Sequence, residues 1–276
     1  MNSFGIIGNG FVGNAIFQGM KNAYEIIVYD VCKEKSPDTF KDVNQQDVVF
    51  VCVPTPMHLD GMIDISILKH SISDLSGGKI LIIKSTITPI AAQEIVEEYD
   101  QHRFVFNPEF LTERTAVEDF KNPSRIVLGG DASATNKVQQ MYKKIFPNTK
   151  YIKTDYKTAC YIKYFCNCFY ASKISLMNEF KQIADASGAN WEIALEGLLS
   201  SGWVNDMHTQ VPGPDGQLGF GGKCFPKDIN AFIKYSESLG IDPKVMKAAW
   251  EKNLEVRKDL DWYHIEGAVT KNKEKK

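Results

Sequence analysis

The chain has 276 residues, 43% of them hydrophobic, and a formal net charge of −2. That length is enough for one large domain or two ordinary domains with buried cores. Lysine and arginine are scattered, which argues against a nucleic-acid-binding surface, and we expect the lysine-rich residues 271–276 to be a solvated terminus.

The first residues lack the charged region and the longer apolar run of a secretory signal. No run approaches the ~18 apolar residues that a membrane-spanning helix needs. We therefore predict a cytoplasmic protein that does not enter a membrane. The six cysteines match no metal-binding template, so we expect no metal site and reduced thiols at five or more of them.

Short β-rich runs alternate with helical stretches over roughly the first 150 residues. Strands are predicted at 3–7, 25–29, 47–53, 79–84, 103–106, 125–129 and 150–153. Helices are predicted at 12–21, 64–75, 89–100 and 132–145. The runs 47–53 and 79–83 are almost continuously apolar, as in strands buried on both faces. This alternation predicts an α/β fold, a Rossmann-type doubly wound parallel sheet covered by helices.

The pattern changes after Lys153. From Thr158 to about Ser187 there is no proline or glycine, and Gly188 is suited to end a helix, so one helix of about 30 residues is predicted. Further helices are predicted at 191–200, 228–239 and 243–258, with a loop at 202–223. The predicted domains are therefore a sheet domain, 1–154, and an all-helical domain, 155–276.

A GxGxxG segment follows the first strand and opens the first helix; its residues are Gly8, Asn9, Gly10, Phe11, Val12 and Gly13. Glycines at these positions permit a tight turn, close approach of a pyrophosphate and packing of the helix on the strand. Asp30, at the end of the second strand, can accept hydrogen bonds from the adenosine ribose and would repel a 2′-phosphate. The segment predicts NAD rather than NADP, the alternative being a glycine-rich turn in another βαβ unit.

Polar residues follow the third and fourth predicted strands. Val53, Pro54 and Thr55 end the third strand, and Ser85 and Thr86 end the fourth. In an open α/β sheet the ligand lies beyond the carboxyl ends of the strands, where these residues fall. We therefore expect Val53, Pro54, Thr55 and Ser85 to contact the cofactor, although each taken alone also suits a turn or a helix start.

The segment 219–228, GFGGKCFPKD, carries the most informative chemistry in the chain. Glycines ahead of Cys224 let backbone amides approach a bound substrate. Lys223, Lys227 and a helix beginning near Asp228 can favour the thiolate. The surroundings of Cys224 favour a catalytic nucleophile over a buried structural cysteine.

This segment resembles the GGxCFPKD signature of the UDP-glucose/GDP-mannose dehydrogenase family. The resemblance runs in family order from residue 4 to about residue 258. Its segments are GxGxVG at 8–13, VPTP at 53–56, KST at 84–86, NPEFL at 107–111, PSRIV at 123–127, IKY at 162–164 with Asn167, KIS at 173–175 and NE at 178–179. It implies NAD-dependent oxidation of a nucleotide-sugar primary alcohol to the uronic acid, of the UDP-glucose 6-dehydrogenase type, in polysaccharide biosynthesis.

The resemblance also implies a catalytic set, which consists of Cys224, Lys163, Asn167, Asp228, Glu109 and Thr86. Cys224 would capture the aldehyde intermediate as a thiohemiacetal that is oxidised to a thioester. Lys163 and Asn167, four residues apart on one helix face, would stabilise the oxyanion. Asp228 would partner water or Lys163, while Glu109 and Thr86 would manage the hydrolytic water.

Binding residues are implied in the same way. Glu113 and Lys227 would contact the cofactor, and the residues expected on the substrate are Phe110, Leu111, Phe220, Gly221, Gly222 and Phe225. From the residues alone, Glu109 also suits a helix N-terminal acid, and Glu113 also suits a surface charge.

Four features depart from the family pattern. The chain stops soon after the predicted helix 243–258, so we expect it to lack the C-terminal domain that binds the nucleotide of the sugar substrate. The KST segment continues without the family's glycine, and Cys160 replaces the acid three residues before Lys163. The loop 203–218 carries extra residues, and the family arginine that reaches a neighbouring subunit has no counterpart that we can place.

Two other functions stay open. A β-hydroxyacid-type dehydrogenase shares a GxGxxG domain and a long helix, but it needs no cysteine. A non-catalytic NAD-binding or assembly module would account for a missing domain, but not for the joint presence of Cys224, Lys163, Asn167 and Asp228. We also expect a homodimer or larger homo-oligomer built on the long helix, which carries an apolar run formed by Ile174, Leu176, Met177, Phe180 and Ile183.

Overall fold

The structure is a computed structural model that describes residues 2–270; the basic tail at 271–276 lies outside the described residues. The strands are β1 (Ser3–Ile7), β2 (Glu25–Tyr29), β3 (Val48–Val51), β4 (Ile80–Ile83), β5 (Arg103–Phe106), β6 (Arg125–Gly130) and β7 (Lys150–Thr154). Every predicted strand is confirmed, and no bound differs by more than two residues from its prediction.

The helices of the first half are α1 (Phe11–Met20), α2 (Phe40–Val43), α3 (Ser66–Ser73), α4 (Pro89–Glu98), α5 (Ala116–Lys121) and α6 (Ala132–Lys143). Those of the second half are α7 (Tyr156–Ser187), α8 (Trp191–Ser200), α9 (Cys224–Ser238) and α10 (Lys244–Val256). Short 3-10 turns occur at Lys33–Lys35, Glu113–Thr115 and Asp261–Tyr263. The sequence did not predict α2, α5 or the 3-10 turns, which are too short to show a helical repeat of apolar residues.

The described chain forms two compact units. Unit 1 runs to Thr55 and resumes over Asp64–Lys163, and unit 2 comprises Pro56–Ile63 and the chain from Tyr164 onward. The domain boundary predicted near residue 154 coincides with the end of β7 and stays a prediction. In the structure the first two turns of α7 belong to unit 1.

The sheet of unit 1 has the strand order β2-β1-β3-β4-β5-β6-β7. Its neighbours are parallel except for β5 and β6, which pair antiparallel through Val105 with Gly130 and Phe106 with Gly129. The predicted fold class, a Rossmann-type doubly wound parallel sheet, is confirmed, and this antiparallel pair is a departure that the sequence did not predict. Strands buried on both faces are apolar whichever way they run, so the sequence pattern carries no information on direction.

The strand order places a switch point between β1 and β3. The chain passes from β1 to β2 on one side of β1, and then from β2 to β3 on the other side of β1. In doubly wound sheets ligands bind beyond the carboxyl ends of the strands at such a point. Phe4 of β1 and Phe50 of β3 contact each other in the core of unit 1, with ring centroids 5.0 Å apart and ring planes tilted by 56°.

The long helix α7 has 32 residues and confirms the helix predicted from the run without proline or glycine. It ends before Gly188, whose φ of +76° lies in the left-handed region that favours glycine at a helix end. The predicted start of α9 near Asp228 is wrong, because the helix begins at Cys224. Pro226 lies in its first turn, where the missing N–H of proline has no helical partner to lose.

Two small apolar clusters are buried among the described residues of unit 2. One is formed by Met177, Ala184, Trp191 and Val211, and the other by Met57, Trp262 and Ala268. The chain after α10 is tied to the second cluster by backbone bonds, from the Met57 amide to the Ala268 carbonyl and from the Thr270 amide to the Met57 carbonyl. Across residues 2–270, the helices lack the combination of length and apolar character that membrane crossing requires.

Candidate active site

A glycine turn joins β1 to α1. Gly8 has a φ of +92°, and a Cβ there would lie 2.7 Å from the Cys52 carbonyl oxygen, so a side chain does not fit. A Cβ on Gly13 would lie 2.0 Å from the Gly8 carbonyl oxygen. Gly10 differs, because a Cβ built there meets no heavy atom of the described residues within 4 Å apart from those of its own local backbone. The amide end of α1 therefore faces open space, as a pyrophosphate site requires.

Asp30 fixes this turn from the end of β2. Its carboxylate accepts the Asn9 amide at 2.6 Å and the Cys32 amide at 2.8 Å. A carboxylate has about four acceptor positions, so capacity remains for ribose hydroxyls. The Asn9 side chain donates to the Lys35 carbonyl, 2.8 Å away. The neighbouring Phe11 and Val12, also predicted at the cofactor, pack half-buried against the core of unit 1.

Two hydroxyls tie together the chain beyond β3 and β4. Ser85 donates to the Val53 carbonyl at 2.6 Å, and Thr55 donates to the Thr86 carbonyl at 2.8 Å. Pro54, between them, is exposed. Because β1, β3 and β4 are parallel, these residues share the carboxyl edge of the sheet with the glycine turn. These residues therefore lie at the edge of the sheet where ligands of such folds bind, while their contacts with a cofactor stay predictions.

Glu109 and Lys163 form a buried ion pair in unit 1. The Lys163 Nζ lies 2.8 Å from Glu109 Oε1, and the residues are only 5% and 8% exposed, respectively. The other oxygen, Oε2, accepts the Leu111 amide at 2.7 Å. Burial by itself would raise the pKa of Glu109, but the Lys163 charge, these hydrogen bonds and the charge of Lys84 outweigh it and lower the pKa. Glu109 is therefore ionised at neutral pH and acts as an acceptor.

A buried polar network holds the segment that leads to Glu109. The Lys84 ammonium and the Tyr142 hydroxyl both donate to Asn107 Oδ1, at 3.0 and 2.7 Å. The Asn107 amide in turn donates to the Val127 carbonyl at 2.7 Å. Burial lowers the pKa of Lys84 to about 8. The sequence contained Lys84 and Asn107 within family-like segments, but it gave no reason to assign them this role.

The residues that follow Glu109 in the chain lie in three different environments. The Arg125 guanidinium carbon lies 4.1 Å from the centre of the Phe110 ring, and the Lys163 Nζ lies 5.6 Å from it. Leu111 packs half-buried against the core. Glu113 is exposed in its 3-10 turn. The substrate contacts predicted for Phe110 and Leu111 and the cofactor contact predicted for Glu113 stay predictions.

A second charged group lies in unit 2. Asp228 is 1% exposed, and its Oδ2 accepts the Asn167 side-chain amide at 2.6 Å. Its Oδ1 contacts the Lys227 ammonium, and the Cys168 thiol lies 3.8 Å from its carbonyl oxygen. Asp228 was expected to partner water or Lys163; within unit 2 its partners are Asn167 and Lys227. The ammonium of Lys227, predicted at the cofactor, is thus engaged with this carboxylate.

Cys224 is the half-buried first residue of α9, so its sulfur lies at the positive end of the helix dipole. Three other thiols are held in the neutral form by burial. Burial raises the pKa of Cys52 and of Cys160 to about 12, and it raises that of Cys168 well above its usual range. These three cysteines are therefore poor nucleophiles at neutral pH.

Asparagine side chains hold the backbone of the glycine segment ahead of Cys224. Asn178 of α7 accepts the Gly219 amide at 3.1 Å. Asn253 of α10, which is fully buried, accepts the Phe220 amide at 2.6 Å and donates to the Phe220 carbonyl at 3.0 Å. The segment is therefore fixed before any substrate binds. Sequence analysis did not identify Asn253, and it noted Asn178 only as a family match.

Aromatic rings pack around the same segment. The buried Phe220 ring lies 6.2 Å from Phe225 and 6.1 Å from Trp250, measured between ring centroids. Phe225 also meets His208 edge-on at 5.4 Å. The backbone N–H and C=O of Phe220 are both bonded to Asn253, which leaves its ring as the part that could meet a substrate. The substrate contacts expected at Phe220, Gly221, Gly222 and Phe225 stay predictions.

The predicted catalytic residues are divided into two groups, one in each unit. Unit 1 holds Thr86 and the ion pair of Glu109 and Lys163, and unit 2 holds Cys224, Asn167 and Asp228. The helix α7 carries a member of each group, since Lys163 and Asn167 lie one turn apart. Within residues 2–270, no three or more histidine, cysteine, aspartate or glutamate side chains are placed to hold a metal ion.

Comparison with known proteins decides the family. Residues 18–148 match the model of the NAD binding domain of the UDP-glucose/GDP-mannose dehydrogenase family, and residues 157–255 match the model of its central domain. The chain belongs to this family. It is the family that the sequence resembles.

Relatives in this family are similar along most of the chain. A UDP-glucose 6-dehydrogenase of Haloferax volcanii is 32% identical over 238 residues, which are 78% of this chain and 54% of that protein. A UDP-glucose 6-dehydrogenase of Bacillus subtilis is 29% identical over 250 residues, with coverages of 87% and 53%. The chain spans about half the length of the curated relatives it matches.

A solved structure agrees with the fold. The UDP-glucose dehydrogenase of the archaeon Pyrobaculum islandicum superposes with a TM-score of 0.81 at 26% identity, over 92% of this chain and 68% of that one. NAD is the cofactor of the family's N-terminal domain and of this chain. The family match begins after the glycine turn, so the fit of that turn rests on geometry: the open space at Gly10 and the remaining acceptor capacity of Asp30 suit a dinucleotide.

Two glycine variants separate cofactor binding from folding. Gly10→Ala places a methyl group in open space, so the protein should keep its melting temperature while the methyl blocks the pyrophosphate and NAD affinity falls at least tenfold, about 1.4 kcal/mol. Gly13→Ala drives a Cβ against the Gly8 carbonyl, so it should lower the melting temperature as well. Calorimetric titration with NAD and thermal unfolding measure both. Wild-type NAD affinity in Gly10→Ala would refute the assignment of this turn.

Proposed function

We propose that the chain oxidises the primary alcohol of a nucleotide sugar to a carboxylate in two steps, with Cys224 as the covalent nucleophile. The observation that carries the proposal is the position of Cys224. It is a half-buried thiol at the start of α9, and the backbone of the glycine segment that precedes it is held by Asn178 and Asn253. Family membership supports the substrate class, since relatives that match the chain are named UDP-glucose 6-dehydrogenases.

The proposed steps balance as follows. In the first, the alcohol loses a proton and a hydride and becomes an aldehyde. The Cys224 thiolate then adds to the aldehyde carbon, and the resulting alkoxide takes a proton to give a thiohemiacetal. Loss of a second hydride and proton gives a thioester, which water cleaves to the carboxylic acid and the free thiol. Bound NAD supplies the acceptor for each hydride, one NAD per step.

Asn167 and Lys163 are assigned to the oxyanion. The Asn167 amide donates one hydrogen to Asp228, which orients the group, and its second hydrogen can point at a developing alkoxide. The Lys163 ammonium, which donates to Glu109, would bring its positive charge to the same alkoxide. Buried carboxylates already orient both donors before the reaction begins. Little reorganisation is therefore needed when negative charge develops on the alkoxide, and this preorganisation stabilises the transition state.

Glu109 is assigned to the hydrolytic water. Its lowered pKa keeps it ionised at neutral pH, so it can accept a proton from water but has none to give. The Thr86 carbonyl is bonded to Thr55, so any contribution of Thr86 to this water comes from its hydroxyl. Asp30 favours NAD over NADP, because its carboxylate would lie beside a 2′-phosphate.

Replacing Cys224 tests the division between the two oxidations. Purified wild-type protein with NAD and a panel of UDP- and GDP-sugars should form two NADH for each sugar acid. Cys224→Ala should lose acid formation by roughly three orders of magnitude or more, as expected when a covalent nucleophile is deleted, while a hydrazine trap collects aldehyde. Cys160→Ala, which removes a buried neutral thiol, serves as the matched control and should stay near wild type.

The same assay separates the alternatives. Acid formation by Cys224→Ala at a near-wild-type rate would show that the thiol is structural. Absence of NADH with every sugar, in protein that binds NAD, would favour the non-catalytic module instead.

We also propose that the chain assembles as a homodimer or larger homo-oligomer through α7. Phe169, Leu176, Phe180 and Ile183 are 65%, 45%, 40% and 59% exposed, and three of them recur every seven residues along one side of the helix. Met177, which the sequence placed with this surface, is instead buried against Trp191. An exposed apolar stripe of this length on a helix suits pairing with a second copy.

Charged substitutions test this assembly. The double variant Leu176→Glu, Ile183→Glu should convert the protein to monomers, because pairing would bury two carboxylates in an apolar contact. Val245→Glu on α10 is the control, since Val245 is an equally apolar residue, 77% exposed, outside the stripe. Light scattering should give at least twice the mass of one chain for wild type and control. A single-chain mass for the wild type at micromolar concentration would contradict the proposal.

A further inference from the structure

The amide nearest to Cys224 in the glycine segment is held by a carboxylate from beyond α10. Both oxygens of Asp261 lie 3.1 Å from the Gly222 amide nitrogen. Gly222 has a φ of +75°, a backbone conformation that side-chain-bearing residues rarely adopt. The direction of this amide is therefore set jointly by the glycine and by the carboxylate that accepts its hydrogen.

Asp261 is itself held in place by a buried arginine. Arg257 is 4% exposed, and its Nη2 lies 3.3 Å from Asp261 and 2.9 Å from Asp215. Its Nε donates to the Asp259 carbonyl at 2.8 Å. A buried guanidinium is tolerated only where its charge and donors are matched, so this network restricts where the Asp261 carboxylate can lie.

The same pair packs directly on the backbone of Gly221. A Cβ at that position would lie 2.2 Å from Arg257 Nη2 and 2.4 Å from Asp261 Oδ1. A side chain at position 221 would therefore have to displace the Arg257–Asp261 pair, which favours glycine there before any substrate is considered.

The start of α9 depends on this anchor. Its N-cap is Lys223, whose side chain makes no capping hydrogen bond to the described residues, so the cap does not fix the helix end. The backbone amide of Gly222, two residues before Cys224, is held by the Asp261 side chain. We propose that Asp261 is a positioning residue for Cys224: by binding the Gly222 amide it fixes where α9 begins and where the sulfur lies. This inference rests on the proposed function, in which that sulfur is the nucleophile.

The test compares three variants of the full chain. Asp261→Ala removes the acceptor, Asp261→Asn keeps one oxygen for the Gly222 amide but loses the charge, and Asp259→Asn is the control. Asp259 is exposed and two residues away, so its variant makes the same charge change without touching Gly222. The first readout is the rate at which iodoacetamide alkylates Cys224, followed peptide by peptide in a mass spectrometer across neutral and mildly alkaline pH.

Alkylation of Cys224 should be about fivefold slower in Asp261→Ala, because about fivefold is the change in rate that corresponds to the net free energy of one hydrogen bond. The rate should fall less in Asp261→Asn. Asp259→Asn should match the wild type. The second readout is the ratio of trapped aldehyde to acid during turnover, which should rise in the same order while the first oxidation keeps its rate. A ratio and an alkylation rate that both stay at wild-type values in the Asp261 variants would overturn the proposal, whatever happens to the melting temperature.

The alkylation readout does not depend on the proposed function. If the wild type forms no NADH with any sugar, the proposed function fails, but slower alkylation in Asp261→Ala would still support positioning of Cys224 by Asp261, and an unchanged rate would refute it.

Discussion

The backbone amides of the two glycine segments must find acceptors that regular secondary structure does not supply, and distant side chains supply them. The Asp30 carboxylate accepts the Asn9 amide in the turn after β1, and Asn253 accepts the Phe220 amide ahead of Cys224. Unbonded buried amides are costly, so each bond also selects one backbone conformation. Glycine supplies the conformational freedom, and the acceptor removes it again, which leaves a rigid surface for a ligand.

The buried charged side chains also depend on specific partners, and some of these partners are charged while others are neutral. Glu109 and Asp228 each lie against a lysine, whereas the Lys84 ammonium donates to the neutral side chain of Asn107, and burial lowers the pKa of Lys84 to about 8. Removing one partner of a buried ion pair costs about 3–5 kcal/mol, because the other charge is left without compensation. Any substitution at these acids therefore changes stability together with chemistry, and isosteric amides are the better probes.

The sequence was most informative where local rules decide the structure. Asp30 was found because a βαβ unit of ordinary size places the end of its second strand beside the first glycine turn. The long helix α7 was found because nothing in its sequence interrupts it. The direction of β6 was missed, since buried strands look alike in either direction. Asn253 and Asp261 were missed because they meet their partners across 33 and 39 residues, and no local pattern encodes such contacts.

The central claim is that a thioester forms on Cys224, and direct observation of that bond tests it best. Glu109→Gln removes the proposed base for hydrolysis while keeping the shape of the side chain, so the acyl-enzyme should accumulate during turnover with NAD and a nucleotide sugar. Acid quenching followed by peptide mass spectrometry should then find the acyl group of the sugar acid on the peptide that contains Cys224, at a higher level than in the wild type. Sugar acid that accumulates while this peptide stays unmodified at every quench time, in both proteins, would contradict the account.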